Sequence, residues 1–339
     1  MKAPMHAVGR FAIATLTPAL LLLLATTLGG GWIWAAALFM AVVSFVLDQI
    51  PLPQQRPMSP ERPIPFADAL SVVLALVHFV LLALAIRALA AGGLGAAQWL
   101  ALWIGAGQFF GQVSNANAHE LIHRSDRRLF TLGKWVFISL LFGHHTSAHL
   151  KVHHRFAASP DDPNSARRGE SFYRFAPRAW WGSFLAGYRA ERADIRRRGK
   201  GGATPHVVYV LGAAGLLLLA GLAYGPAGIG AYLALAAYAQ TQLLLSDYVQ
   251  HYGLTRARRA DGRLEPVGPQ HSWNGRQWFT SALMLNAPRH SDHHAHPNRP
   301  YPQLDPNPGG QAPQLPASLP AIAVLALFPG PWRRVMGRE

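Results

Sequence analysis

From Phe11 to Leu28 no side chain carries a charge, and the same holds from Trp32 to Leu47. A bilayer core about 30 Å thick needs roughly 20 mostly apolar residues as helix, so these stretches read as membrane spans. Gly29, Gly30 and Gly31 separate them, and a proline-rich loop comes next with Pro51, Pro53, Pro57, Pro60, Pro63 and Pro65. A third span runs over 67–90. After Gly92 and Gly93 a fourth covers 96–118, and no proline interrupts the pattern until past His123. A helix from Ala96 to His123 would be about 42 Å long and project about two turns beyond the hydrocarbon. Apolar stretches resume over 207–224 and 229–245, with Gly225, Pro226 and Gly228 between them. Leu132–Gly143 is too short to span, and Leu319–Phe328 is followed by Pro329 and Pro331; both read as interfacial or buried helices. The expected fold class is therefore an all-α integral membrane protein with six transmembrane helices and cytoplasmic helical extensions, built as a single membrane-embedded domain over 1–339.

Composition agrees. Only 14% of the 339 residues are charged and 50% are hydrophobic, against about 25% charged in soluble domains. The net charge of +15 is unevenly placed. Six spans put Lys2, Arg10, Arg56, Arg62, Arg124, Arg127, Arg128, the cluster Arg196, Arg197, Arg198 and Lys200, and Arg256, Arg258 and Arg259 on one side, while the opposite turns hold no Lys or Arg. Basic loops mark the cytoplasmic face, so both termini are expected there, with the first span serving as its own insertion signal. Basic loops beside an anionic leaflet account for the charge without nucleic acid. Cysteine is absent, which excludes disulfides, thiolate metal sites, iron–sulfur clusters and a cysteine nucleophile.

Histidine carries the chemistry that remains. Eleven of 16 histidines fall within 119–154 and 290–296. His119 and His123 stand four apart, on one face of a helix, at the projecting end of the fourth span. His149, His153 and His154 repeat that spacing with an added neighbour. His290, His293 and His294 fall at i, i+3 and i+4, and His251 lies just past the sixth span. In a six-span topology all of them emerge on one side; a crossing at 132–143 would separate the first two clusters. Imidazoles gathered in this way would repel one another if protonated, and a bound cation is the natural reason to assemble them. A zinc site takes four ligands, so nine imidazoles imply two metals, and imidazole suits iron, copper, zinc and nickel alike. HELIH at 119–123 has the HExxH form of metalloproteases, but the other clusters have no place in a mononuclear protease site. The lone His78 and His206 receive no role.

The motifs HELIHR at 119–124, HLKVHH at 149–154 with SPDDP at 159–163, QHYGL at 250–254 and RHSDHHAHP at 289–297 resemble the membrane-bound alkane 1-monooxygenase family. Its relatives are xylene monooxygenase hydroxylases and, more distantly, fatty acid desaturases. The resemblance covers the chain from the first span to about Leu304. It implies two non-haem iron ions, dioxygen as cosubstrate, and hydroxylation of a terminal or methyl carbon of an apolar hydrocarbon to a primary alcohol, in a bacterial-type inner membrane. The implied ligands are His119, His123, His149, His153, His154, His251, His290, His293 and His294. Glu120, Asp161, Asp162, Asp247 and Asp292 are candidates to orient imidazoles; His144, His145 and His296 match no ligand position and are expected to support the site. Ala148 and Val152 stand where the family usually has Glu and Gly, and Asp247 and Gln250 where it usually has Asn and Glu. Gln250 is more like the xylene branch.

Electrons must come from elsewhere, since the chain holds no cysteine and no G-x-G-x-x-G fingerprint after a predicted strand. A separate rubredoxin or ferredoxin, with its reductase, is expected to dock on the basic face. Two other readings use the same histidines: a fatty acyl desaturase, and a metal transporter, which would place ionisable residues deep inside its spans.

Overall fold

In the computed structural model, which describes residues 3–52, 64–199 and 201–337, the chain is helical and forms no strand among those residues beyond two isolated bridges. Most of the proline-rich loop lies outside the described residues, as do Lys2, Arg56, Arg62 and Lys200. Helix α1 (Ala3–Leu28) stops at Gly29 and Gly30, whose φ angles of 68° and 57° suit glycine, and the chain doubles back into α2 (Gly31–Asp48). Helix α3 (Pro65–Ala90) opens with its proline in the first turn, where the missing N–H is not needed. The next helical run, α4, consists of Ala96–Phe109, a π turn at Phe110–Ser114, and Asn115–Ile122. It is the long helix expected from the absence of proline.

Among the described residues, four helices are long and apolar enough to cross a membrane: Val8–Leu28, Gly31–Asp48, Phe66–Ala90 and His206–His251. The last, α8 in chain order, is a hairpin of two arms. Gly225 leaves the helical region (φ 63°, ψ −156°), and a Cβ added at Gly228 would lie 2.5 Å from the carbonyl oxygen of Ala220. Both arms meet the same corner of the chain: Gly212 packs against Ile138, while Tyr232 Oη donates to the Ser139 carbonyl (2.6 Å) and Gln240 Nε2 to that of Leu140 (2.8 Å). The Gly-Pro-x-Gly signal thus makes the expected reversal.

The short predicted helix at 132–143 begins earlier, as α5 (Arg127–Ser139), because Asp126 Oδ1 accepts from the backbone N–H of Arg128 (2.6 Å) and Leu129 (3.4 Å). It packs back along the end of α4. Next comes α6, made of His145–Ala148, a π turn at His149–His153, and His154–Phe156; the amphipathic α7 (Phe172–Arg197) presses Gly187 against the Ala148 backbone. After α8 come the short helices α9 (Trp278–Leu283), α10 (His290–Ala295), α11 (Leu319–Ala326) and α12 (Pro329–Met336). His78, a lone histidine in the sequence, ties three helices together, with its ring nitrogens 2.9 Å from Ser114 Oγ and 2.8 Å from Ser139 Oγ.

The α4–α5 contact positions His119 and His123, and Gly133 makes it possible. A Cβ there would lie 2.6 Å from Leu121 Cβ and 2.8 Å from the Ala118 carbonyl oxygen, which cannot move aside cheaply. Gly133→Ala is expected to cost about 1–3 kcal/mol, read as a lowered thermal unfolding midpoint in detergent. Gly9→Ala, whose Cβ would meet open space within α1, is the control and should leave the midpoint unlowered or slightly raised, as alanine is the better helix former.

Candidate metal centre

Nine histidines from four elements converge at the C-terminal ends of α4 and α8. They fall into two groups, His119, His123, His149, His154 and His293 in one and His153, His251, His290 and His294 in the other, with the candidate ligand atoms of each group within 4.8 Å of one another. The groups adjoin: the His154 and His294 rings are 4.7 Å apart. In the first, Nε2 of His149 is 3.0 Å from that of His123 and 2.9 Å from that of His154, which is 3.1 Å from that of His293. In the second, Nε2 of His290 is 3.0 Å from both His251 and His294.

These approaches are too many to be hydrogen bonds, because a neutral imidazole has one N–H to give. They fit nitrogens around an ion: with metal–imidazole bonds of about 2.0–2.1 Å, two ligands at right angles stand about 2.9–3.0 Å apart. Burial, reinforced by neighbouring imidazoles, pushes His149, His154, His290, His293 and His294 well below the ordinary imidazole range. Each is therefore neutral near pH 7 and offers a lone pair. For two of the nine the tautomer is set from behind. His153 donates Nδ1–H to Asp162 Oδ2 (2.9 Å) and His251 donates Nδ1–H to the His271 carbonyl (3.2 Å), which leaves Nε2 free to bind. Nε2 of His119 and of His153 is buried with no hydrogen-bond partner among the described residues.

The second cluster departs from the expected geometry. Spacing alone put His149 and His153 on one face, but the π turn between them adds a residue to the turn, so His149 meets His154, five positions on, and His153 faces the other group. The pairs 119/123 and 290/294 keep the α-helical i, i+4 relation.

The five acids separate as well. Asp162 alone contacts an imidazole of the two groups, and it is itself held by Ser165 Oγ (2.7 Å) and the Asn164 N–H (3.0 Å). Glu120 binds Arg124 (2.7 Å) and the Tyr301 N–H (3.1 Å). Asp161 is exposed and pairs with Arg258 (3.0 Å). Asp247 accepts from Asn164 Nδ2 (2.6 Å). Asp292 is a clamp: both its oxygens take Arg299 (2.7 and 2.6 Å), and it also accepts from the Asp305 N–H (2.8 Å) and His296 (3.0 Å). A six-residue helix is not stable alone. Asp292, with Ser291 bonded to the Ser272 carbonyl (2.7 Å) and Arg289 to that of Leu304, pins α10 in place. His144 sits among Phe142, Trp180 and Phe184, whereas the His145 ring is 5.2 Å from that of His149.

A small pocket of about 50 Å³ touches His119, His145, His149 and His290, and is otherwise lined by residues such as Asn115, Ala116, Leu243 and Gln250. Gln250 donates to the Ala287 carbonyl (3.1 Å). Gly111, Ser246, Met284 and Leu319 also line an adjoining groove of about 430 Å³ between α2, α4, the second arm of α8 and α11. Sequence reasoning missed these linings, as well as His271 and Asn164, because they come from residues scattered over several helices and loops.

A sequence profile of the fatty acid desaturase family matches residues 94–322. The chain is 35% identical over 248 residues to alkane 1-monooxygenase 1 of Pseudomonas aeruginosa, covering 72% of this chain and 64% of that protein. It is 32% identical to alkane 1-monooxygenase 2 of Alcanivorax borkumensis with the same coverage. To the xylene/toluene monooxygenase hydroxylase component of Pseudomonas putida it is 27% identical, over 63% of this chain and 57% of that one. The chain thus spans just under two thirds of the length of these two alkane monooxygenases. With a profile match that takes in the first, second and last histidine clusters and His251, the chain belongs to the fatty acid desaturase family.

Proposed function

We propose that this protein is a non-haem diiron monooxygenase that hydroxylates the terminal carbon of an n-alkane to a primary alcohol. The observation that carries the reading is the pair of histidine groups beside a small pocket that adjoins a groove lined largely by apolar residues, in a chain whose relatives are named alkane 1-monooxygenases. His119, His123, His149, His154 and His293 would hold one iron, and His153, His251, His290 and His294 the other. Bound iron supplies dioxygen activation. In the balance, a C–H bond, dioxygen, two electrons and two protons become an alcohol and water.

The chain's own residues position the substrate and exclude water. Apolar walls at Leu245, Met284 and Leu319 carry a chain from the groove to the pocket, and the pocket's volume suits a methyl end better than a ring, since benzene occupies a cavity of about 150 Å³. Gln250 in the pocket supports the alkyl-aromatic methyl hydroxylase as second reading. The relatives' names favour oxygen insertion over desaturation.

The reading includes six spans within a single domain over 1–339, with α4 and both arms of α8 crossing and both termini cytoplasmic in a bacterial-type inner membrane. The His119 and His149 rings are 4.5 Å apart, which supports a segment 124–148 that does not cross. Electrons would arrive from a separate rubredoxin or ferredoxin, kept reduced by its reductase, on the basic face.

The functional test is product analysis under isotopically labelled dioxygen, in cells that express the chain with a rubredoxin or ferredoxin system and receive medium-chain alkane, xylene and fatty acyl probes. A labelled primary alcohol from the alkane is expected; an unlabelled alkene would make the protein a desaturase. The metal assignment predicts about two irons per chain by elemental analysis, with His123→Ala and His251→Ala each lowering the content. Asp162→Asn should lower metal affinity or turnover about 10–100-fold, whereas Asp161→Asn at the surface should leave both unchanged.

A further inference from the structure

The groove leading to the histidines is not uniformly apolar. Gln108, Gln112, Tyr238 and Gln242 form a polar band along it, on α4 and the second arm of α8, while its rim is made of exposed apolar side chains such as Phe45 and Val324. In an apolar setting such side chains are costly unless paired. Gln242 is paired: it donates to the Gly107 carbonyl (2.9 Å) and accepts from Gln112 Nε2 (3.3 Å). It acts as a tie between helices. Gln108 is different. Its side chain neighbours the Tyr238 hydroxyl, but its Oε1 is buried with no hydrogen-bond partner among the described residues. Of the polar groove-lining residues it is the one with such an orphan.

The backbone is shaped to hold this band. A Cβ at Gly107 would fall 2.0 Å from Tyr238 Cδ1 and one at Gly111 2.4 Å from Gln242 Nε2. Two bare positions one turn apart on α4 therefore receive two polar side chains one turn apart on α8. Gln108 lies eleven residues before His119, or about 16 Å along the helix axis.

We infer that the groove selects aliphatic chains that carry a hydroxyl group remote from the carbon to be oxidised. The hydroxyl donates to Gln108 Oε1 and accepts from Tyr238 Oη, while the methyl end reaches the histidines. This inference rests on the proposed hydroxylase reading for which end reacts, but the binding preference can be read without turnover.

The test uses the metal-loaded protein in lipid nanodiscs with two photoreactive probes, a diazirine-bearing 1-dodecanol and the matching alkane, cross-linked and quantified by mass spectrometry. The alcohol is expected to label the groove at about tenfold lower concentration than the alkane, as one buried hydrogen bond implies. Gln108→Leu and Tyr238→Phe should each bring the ratio towards one. Equal labelling by both probes in the wild type, or an advantage that survives both substitutions, overturns the inference. Should Gln108→Leu fail to fold, Tyr238→Phe decides. Steady-state turnover separates the two readings: selective alcohol labelling without any oxygenated product removes the hydroxylase reading and keeps the hydroxyl site, and alkane turnover without alcohol preference does the reverse.

Discussion

Nine imidazoles in contact, six of them buried and three partly so, cannot all be protonated, and this constraint organises the rest of the molecule. Dehydration and mutual repulsion push most of the rings towards the neutral form, while Asp162 raises the pKa of His153, and a source of instability becomes a set of lone pairs aimed at common points. The surrounding structure serves that condition. α4 runs past its apolar portion to deliver His119 and His123, α5 folds back against it through Gly133, and α10 is held by groups on neighbouring loops. Behind His153 stands a carboxylate and behind His251 a carbonyl, each fixing the second ring nitrogen.

Much of the fold could be read from the chain because its signals are local. Runs without charge, glycine pairs between them, and Gly225 with Pro226 place helices and reversals at the residues where they occur. The reach of α4 followed from the lack of proline, and the start of α5 from Asp126, although that cap became evident only in the structure.

The site was legible in its residue types and less so in its partition. Helical i, i+4 spacing grouped 119 with 123 and 290 with 294, but no residue type announces a π turn, so the division of 149, 153 and 154 between two groups was hidden. The acids were hidden for another reason. Nearness in sequence to a histidine says little about which way a carboxylate points: Asp161 and Asp162 are neighbours, yet one meets Arg258 at the surface and the other His153 in the interior. Asn164 and His271 belong to the site through contacts made 83 and 20 residues away in the chain.

The π turn at His149–His153 also constrains how such a centre can arise or be lost. A π turn is an α-helix with one residue to spare, and its effect is to rotate the downstream helix residues relative to those upstream of the turn. Point substitution preserves that count and can only add or remove a ligand. Deleting a single residue in the turn would keep every histidine of the motif and still deal them out differently between the two groups. The two-centre arrangement is thus encoded in chain register as much as in chemistry, and its accessible neighbours in sequence space lie along insertions and deletions.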